Sequence, residues 1–276
     1  MKKKIALYAS LVFLGLFVYS SIIEPLLDDF FILPEIPGGI GVKTIFMLFF
    51  SLSHGLYFLG WKNTLVFFSL TAAVSWGYEQ FGVETGLIYG QYHYTDALGE
   101  KLGHVPIIIP LAWFMMIYPS YIIANLIATG KPIGNNSTVS KVLSLAILSA
   151  IIMTTWDFVI DPYLSGPTQQ AWIWEKGGEY FGIPLHNFAG WILTTFTVYL
   201  LYRIFEKKTK PIETKITKSI VVLPVLAYGL MLIANLMPGE PPELRMIGPI
   251  VMGIPIIVAL IRFKKKSRDT VSKTSK

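Results

Sequence analysis

Residues 142–160 read VLSLAILSAIIMTTWDFVI, an apolar run in which Asp157 is the only charged residue. A helix needs about 20 consecutive, mostly apolar residues to cross the hydrocarbon core of a bilayer. The run therefore predicts a transmembrane helix. An acid inside such a helix is expensive to ionise, and intramembrane acids are candidates for function by default. This single stretch indicates both the class of fold and the place where its chemistry is expected.

Seven further apolar runs of similar length lie along the chain. They cover residues 5–23, 44–60, 64–81, 105–127, 183–201, 220–237 and 246–261. The composition agrees with a membrane protein, because 53% of the 276 residues are hydrophobic and only 14% are charged, against about 25% charged in soluble domains. We predict an all-α, polytopic integral membrane helix bundle of about eight transmembrane helices.

The predicted bundle forms one transmembrane domain over residues 1–263, with the core of the site at residues 64–205. Residues 264–276 are expected to form a disordered, basic cytoplasmic tail. The last apolar run is short and contains two glycines and two prolines, Gly248, Pro249, Gly253 and Pro255. A kinked or re-entrant segment is therefore an alternative to the eighth span, and the bundle would then have seven spans.

The basic residues predict the orientation of the bundle. If the N-terminus is cytoplasmic, all of the 23 basic residues except Lys43, Lys101, Lys176 and Arg245 fall on the cytoplasmic side. This asymmetry is what the positive-inside rule describes. We expect a multi-pass protein of the cell membrane with both termini in the cytoplasm. Because topology explains the net charge of +6, no nucleic-acid partner is expected.

Three carboxyl groups are placed where ionisation is costly. Asp157 and Asp161 are four residues apart, so on a continuous helix both face one direction, and Pro162 is expected to end that helix at Asp161. Glu79 lies within the third apolar run, three residues after Trp76. If the two helices are neighbours, the three acids meet near the outer boundary of the membrane. We predict Glu79, Asp157 and Asp161 as the catalytic residues.

Two stretches of the chain share a layout. Residues 76–113 read WGYEQFGVETGLIYGQYHYTDALGEKLGHVPIIIPLAW, and residues 156–191 read WDFVIDPYLSGPTQQAWIWEKGGEYFGIPLHNFAGW. Each begins with a tryptophan, continues through acids and an aromatic, glycine-rich outer loop, and has a second tryptophan seven residues after a proline. Both units have the same predicted orientation. The pattern predicts a parallel internal repeat.

Polar and aromatic residues of the two units are the candidates for binding a substrate. They are Trp76, Glu84, Tyr92, Tyr94, Trp156, Trp172, Trp174, His186 and Asn187. The alternative for any single tryptophan or tyrosine is an aromatic belt at the membrane interface, which needs no ligand. The rings of the outer loops cluster with acids, which favours a lining role.

Several kinds of site are disfavoured by the sequence. The chain contains no cysteine, which excludes disulfides, thiolate metal sites and cysteine nucleophiles. The four histidines show no H-x-x-x-H or H-E-x-x-H spacing, so a zinc-dependent hydrolase would need ligands assembled entirely by the fold. Neither a phosphate-binding glycine loop nor a G-x-S-x-G elbow is present. We expect neither a metal nor a cofactor.

The two units resemble a known family. The resemblance is carried by VPIIIPLAW at 105–113, WDFVIDP at 156–162, AWIWEKGGEYFGIPLHNFAGW at 171–191, and the residues Glu79, Glu84, Gly86, Gly90, Tyr92 and Tyr94. It covers the third to sixth predicted spans, and in this region the chain is similar to the membrane-bound carotenoid hydratases. It implies a cofactor-independent hydro-lyase that adds water across a terminal carbon–carbon double bond of an acyclic carotenoid of bisanhydrobacterioruberin or lycopene type. The substrate would lie in the lipid bilayer, and association with other carotenoid-synthesis enzymes is an expectation that goes with it.

The residues supply the groups that this chemistry needs. Hydration of such an alkene requires a carboxylic acid that protonates it to a tertiary carbocation, and a second carboxylate that orders the water. Aromatic faces stabilise the passing cation. A transporter or proton pathway that uses the intramembrane carboxylates is the alternative, although a carrier should hold its polar groups near the midplane. A lipid-binding or scaffold subunit beside a carotenoid synthase is a third interpretation.

Overall fold

The computed structural model describes residues 2–134, 137–209 and 217–274. In these ranges the helices are α1 (Lys2–Val18), α2 (Glu24–Leu27), α3 (Gly39–Phe58), α4 (Trp61–Thr85), α5 (Ile108–Thr129), α6 (Val139–Leu164), α7 (Leu185–Lys207), α8 (Lys218–Leu236), α9 (Leu244–Val251) and α10 (Gly253–Thr274). A π-helical turn, Tyr19–Ile23, joins α1 to α2 without a break. The predicted all-α polytopic membrane bundle is confirmed.

Among the residues that the structure describes, seven helical segments are long and apolar enough to cross a membrane. They are Lys3–Leu27, Gly39–Phe58, Ile108–Thr129, Val139–Leu164, Leu185–Lys207, Lys218–Leu236 and Leu244–Arg268. The remaining predicted span corresponds to α4, which has 25 residues and packs against α5 and α7. Its length suffices at 1.5 Å per residue. Polar side chains near its end, among them Glu79, Gln80 and Glu84, make it less apolar than the other seven.

The last span is interrupted, as the sequence predicts. Helix α9 ends at Val251 and α10 begins at Gly253, with Pro249 before the break and Pro255 after it. Proline removes a backbone donor and crowds the preceding turn, which kinks or breaks a helix. The two helices together form the seventh candidate span.

The segment after Phe263 differs from the expectation of a disordered tail. Helix α10 continues to Thr274, while Ser275 and Lys276 lie outside the described residues. Lysine and arginine are good helix formers. Because extending an existing helix is easier than nucleating one, the basic segment continues the membrane helix.

Helix α5 lies at the centre of the bundle. All of its residues from 113 to 126 are buried, and it packs against α3, α4, α6, α8 and α10. A helix that is apolar on every side is typical of a fully buried position. These five helices surround α5, and the loops that join α4 to α5 and α6 to α7 cover one end of the bundle.

Prolines inside three helices leave backbone carbonyls free, and each such carbonyl accepts a hydrogen bond from a side chain of another element. Pro119 in α5 frees the oxygen of Met115, which accepts from Ser51 Oγ at 2.8 Å. The carbonyls freed by Pro162 in α6 and Pro224 in α8 are those of Phe158 and Ile220. They accept from Tyr180 Oη at 2.9 Å and from His54 Nε2 at 3.0 Å. These bonds replace those that proline removes inside a membrane helix.

The bond from Tyr180 also explains why α6 does not end where the sequence predicts. Helix α6 runs through Pro162 to Leu164, so the expectation that it ends at Asp161 is wrong. The Phe158 carbonyl, which has no backbone donor because Pro162 lacks an N–H, is satisfied by the Tyr180 hydroxyl. The helix therefore continues, and Asp161 keeps a helical position one turn after Asp157.

The two outer loops of the repeat units pair with each other. Strand β1 (Tyr92–Tyr94) lies between α4 and α5, and it pairs antiparallel with β4 (Trp172–Trp174), which lies between α6 and α7. Between them in the chain, β2 (Lys101–Leu102) and β3 (Val105–Pro106) form a short hairpin. Trp113 and Trp191, the tryptophans that follow the two prolines, stack with ring centroids 4.0 Å apart. Equivalent parts of the two units thus contact each other, and the internal duplication itself stays a prediction.

Candidate active site

A cavity of about 410 Å³ lies beneath the paired strands, and all three predicted acids line it. Helices α4 and α6 contribute the acids, and the loops with β1 and β4 contribute aromatic rings. Residues near the outer ends of α1, α3, α5, α7 and α8 complete the wall. Besides the acids, the polar and aromatic lining residues include Ser21, Lys43, Thr44, Tyr89, Tyr92, Tyr94, Trp113, Trp156, Tyr163, Trp172, Trp174, Asn187, Trp191 and Asn235.

Glu79 is held by two tyrosines of β1. Its side chain is 4% exposed, and its Oε2 accepts hydrogen bonds from the hydroxyl groups of Tyr92 and Tyr94, the latter at 2.9 Å. Residues two apart in a strand point to the same side, which is why both hydroxyls reach one carboxylate. Burial raises the pKa of both phenols, so they stay protonated and remain donors. The strand therefore positions Glu79 and stabilises its anion.

Asp157 and Asp161 are joined by a single amide. Asn187 on α7 donates through Nδ2 to Asp157 Oδ2 at 3.0 Å and to Asp161 Oδ2 at 2.8 Å. Trp172 of β4 donates through Nε1 to Asp161 Oδ1 at 2.9 Å. Both aspartates are 1% exposed. The predicted pair on one face of a helix is present, and Asn187 is the residue that holds the two carboxyl groups together.

Three polar atoms near these acids are buried without a hydrogen-bond partner in the described part of the chain. They are Asp157 Oδ1, Trp156 Nε1 and Trp174 Nε1. Buried polar groups normally have partners, and each exception calls for an explanation. All three residues line the cavity.

Three residues predicted to bind substrate lie outside the cavity. Glu84 is exposed on the last turn of α4, where it accepts from Gln80 Nε2 at 2.5 Å. Trp76 donates to the carbonyl oxygen of Leu102 at 3.2 Å, so it covers the hairpin of β2 and β3. His186 is exposed although Asn187 beside it is buried, because consecutive helical residues point about 100° apart. The other six predicted binding residues line the cavity.

Several lining residues were not among the predicted site residues, among them Trp113, Trp191, Ser21 and Asn235. Trp113 and Trp191 carry a usable signal, because they occupy equivalent positions in the two repeat units. Ser21 and Asn235 carry none, since they lie in apolar runs far from either unit. Their role in the wall follows from the packing of α1 and α8 around the cavity.

The histidines are not arranged as metal ligands. His54 is fully buried, donates to the Ile220 carbonyl, and therefore accepts from Tyr118 Oη through Nδ1 at 2.6 Å. His93, His104 and His186 are exposed. Within residues 2–134, 137–209 and 217–274, no group of three or more histidine, aspartate or glutamate side chains is arranged to hold a metal ion.

Known proteins resemble this chain over different lengths. A curated relative, bisanhydrobacterioruberin hydratase of Haloarcula japonica, is 32% identical over 129 residues. That match covers 46% of this chain and 41% of the relative, so it spans less than half the length of either protein. No solved structure matches the chain. The family model described as "Carotenoid biosynthesis protein" matches residues 39–260. Because this match includes every helix that contributes an acid to the cavity, and most of the sequence, the chain belongs to the carotenoid biosynthesis protein family.

Proposed function

We propose that the protein is a carotenoid hydratase, which adds water across a terminal double bond of an acyclic carotenoid. The observation that carries the proposal is the convergence of three buried carboxyl groups on one cavity with aromatic walls. Membership of the carotenoid biosynthesis family supports the substrate class. The relative from Haloarcula japonica, which is named as a hydratase, supports the reaction class.

The first step is proton transfer from the aspartate pair. Asp157 and Asp161 both accept from Asn187 Nδ2, and two ionised carboxylates so close together would repel strongly in a cavity with little water. We therefore assign one proton to the pair. Asp157 Oδ1, for which the described residues provide no hydrogen-bond partner, transfers it to the less substituted alkene carbon. A C–H bond forms, the π bond breaks, and the positive charge is left on the tertiary carbon.

The aromatic wall stabilises the cation formed in this step. Trp156, Trp174 and Trp191 line the cavity together with the acids, and the face of an indole ring attracts a positive charge. The water molecule that captures the cation must be held close to the cationic carbon. The indole N–H group of Trp156, which has no hydrogen-bond partner among the described residues, is suited to hold that water beside the acids.

The second step is capture of the cation by water, with Glu79 as the base. The water oxygen forms a bond to the tertiary carbon and loses a proton to the Glu79 carboxylate, which Tyr92 and Tyr94 orient. All three acids line the same cavity, and the proton returns from Glu79 to the pair between turnovers. The net change is the addition of one water molecule, with no oxidation or reduction.

The size of the cavity indicates how the carotenoid binds. A volume of about 410 Å³ lies at the lower end of the range of about 300–1,000 Å³ for ligand sites, and a long polyene exceeds it. We propose that one terminus enters the cavity while the rest of the chain stays in the bilayer. Carotenoids with two reactive ends would then be hydrated one end at a time.

No observation favours the transporter alternative. Glu79 lies near the C-terminal end of α4, and Asp157 and Asp161 lie near the C-terminal end of α6. All three acids therefore sit at one end of the bundle, whereas a carrier holds its binding groups near the midplane.

The proposal is tested by supplying purified protein in lipid vesicles with lycopene or bisanhydrobacterioruberin and recording the masses of the pigments. We expect a gain of one water per hydrated end, with singly hydrated product appearing before doubly hydrated product. Folded protein that leaves both carotenoids unchanged would overturn the proposal.

A further inference from the structure

Helix α10 packs against the bundle with one face and leaves the opposite face uncovered. On the packed face, Ala259 is buried, and a β-carbon added to Gly130 at the end of α5 would lie 2.7 Å from Lys266 Cβ. On the uncovered face, Ile257 and Ile261 are exposed apolar side chains. In a membrane helix, such side chains contact the acyl chains of lipids.

The uncovered face continues directly into a group of basic residues. Lys264, Lys265 and Arg268 lie within about 60° of Ile261 around the helix, at 100° per residue, and all three are exposed. No acidic residue occurs between positions 253 and 268. Within the described residues, none of the three cations has an ion-pair partner. We refer to these three residues as the basic cluster.

The basic cluster begins where the hydrocarbon core of the membrane is expected to end. It belongs to the candidate span Leu244–Arg268. Arg245 and Lys264 bound the mostly apolar part of this span, which is about 20 residues or about 30 Å long at 1.5 Å per residue. This length matches the thickness of a bilayer core. The three cations therefore lie at the level of the lipid headgroups.

A neighbouring arginine fixes the position of the basic cluster. Arg262 donates through Nε to the carbonyl oxygen of Ile127 at 3.1 Å and through Nη2 to that of Ala128 at 3.4 Å. Both carbonyls belong to the last turn of α5, where helical carbonyls lack backbone partners. Arg262 thus joins α10 to the end of α5, and the helical backbone holds the basic cluster beside this contact.

We propose that the basic cluster binds the phosphate of an anionic phospholipid whose acyl chains lie along Ile257 and Ile261. Lys264 and Arg268 are four residues apart, and Lys265 and Arg268 are three apart, which makes them neighbours on the helix surface. Their long side chains can therefore converge on one phosphate group. Cations placed just beyond a membrane helix attract anionic headgroups.

The lipid site goes beyond the proposed hydratase function and does not depend on it. Arg262 contacts the C-terminal end of α5, whereas the cavity is lined by residues near the N-terminal end of α5, among them Ile108 and Ala112. The basic cluster and the cavity therefore lie at opposite ends of the bundle.

A phospholipid fits the uncovered face of α10 better than a soluble ligand does. A soluble phosphate compound would contact the cations but leave Ile257 and Ile261 without a partner. A nucleic acid would need cations that extend away from the membrane, whereas Arg268 is only two helical turns beyond Ile261. A molecule with both a phosphate and acyl chains matches both parts of the face.

Native mass spectrometry of the purified protein tests the site, because it counts the lipids that remain bound. The protein would be equilibrated in detergent with equal amounts of phosphatidylglycerol and phosphatidylcholine that have the same acyl chains. We expect the wild-type protein to retain phosphatidylglycerol with a preference of about tenfold. The triple variant Lys264→Gln, Lys265→Gln and Arg268→Gln should lose that preference, because glutamine is polar but uncharged.

The matched control removes the same charge from the same end of the bundle through Lys3→Gln, Lys207→Gln and Lys208→Gln, at three exposed positions. It should keep the wild-type preference. Equal loss in both triple variants would indicate a diffuse attraction by net charge and overturn the site, as would equal retention of the two lipids by the wild-type protein. Glycerol phosphate, which has no acyl chains, should not displace the bound lipid at equal concentration. Displacement would indicate a site for phosphate alone and would also overturn the proposal.

Discussion

Buried polar side chains that bond to proline-freed carbonyls differ from several of those that line the cavity at the end of the bundle. Ser51 and His54 in the interior, and Tyr180 in the loop between β4 and α7, each donate to a carbonyl that a proline has freed. In the cavity, Asp157 and Asn235 retain buried polar atoms without a partner among the described residues. A buried polar group in a membrane protein that has all its partners is explained by the fold. One that lacks a partner and faces a cavity indicates a ligand.

This comparison predicts that the cavity acids can be changed with loss of activity but little loss of structure. The amide variants Glu79→Gln, Asp157→Asn and Asp161→Asn keep the side-chain size but can neither release nor accept the transferred proton. We expect each to lower the rate of water addition about 10²- to 10⁴-fold, the usual contribution of general acid–base catalysis, with folded yields near wild type.

Glu84→Gln is the matched control, because Glu84 is an acid of α4 that lies on the surface; it should hydrate at the wild-type rate. Near-normal rates in all three deep variants, measured as product formed per folded protein, would show that the cavity acids are structural like the interior groups.

The tyrosines of β1 are expected to act through Glu79. Tyr92→Phe and Tyr94→Phe each remove one donor to the carboxylate and keep the ring. A hydrogen bond to a charged group contributes about 1.5–3 kcal/mol, so we expect the rate constant to fall by about tenfold or more in each variant. Tyr78→Phe is the control, since its hydroxyl pairs with Thr197 at 3.2 Å outside the cavity. Equal effects of all three changes would contradict the role of β1.

The interior groups should show the opposite behaviour. His54→Phe leaves the carbonyl of Ile220 and the hydroxyl of Tyr118 without their partner. We expect a loss of about 1–3 kcal/mol in the free energy of unfolding, seen as a lower melting temperature in detergent, with unchanged turnover per folded molecule. His186→Phe, at an exposed position on α7, should melt as the wild type does. A His54 variant that is stable but inactive would break the distinction between the two regions.

The smallest expected effect on the protein comes from a test of its orientation in the membrane. We expect both termini to be cytoplasmic and the loops that cover the cavity to lie outside. A cysteine introduced at Asp96 or Gln169 should react with a membrane-impermeant thiol reagent in intact cells, because the natural chain has no competing thiol. Labelling that requires permeabilised cells would reverse the orientation and place the cavity at the cytoplasmic face.

The sequence predicts those parts of the site that depend on spacing along one helix. The four-residue separation of Asp157 and Asp161 in an apolar run is sufficient to place both on one face, and the structure has them there. Spacing alone does not predict which of two consecutive side chains on a helix points toward the cavity. His186 illustrates this, since it directly precedes the cavity residue Asn187 but points about 100° away from it around the helix.

Contacts between distant segments are the part that the sequence does not predict. Both outer loops are recognisable, but the pairing of Tyr92 with Trp174 depends on how four helices pack. Ser21 and Asn235 join the cavity only because α1 and α8 close around it. The hydrogen bonds to proline-freed carbonyls have the same origin, because each donor and its acceptor lie on different elements.

Isotope incorporation tests most directly the claim that the cavity acids add the elements of water to a carotenoid. Purified protein would be incubated with lycopene in deuterated water enriched in heavy oxygen, and the product analysed by mass spectrometry and nuclear magnetic resonance. The account predicts one solvent oxygen on the tertiary carbon and one deuterium on the neighbouring carbon for every hydrated end, both absent with Asp157→Asn. An alcohol whose oxygen comes from dioxygen, or a product without the deuterium, would contradict it.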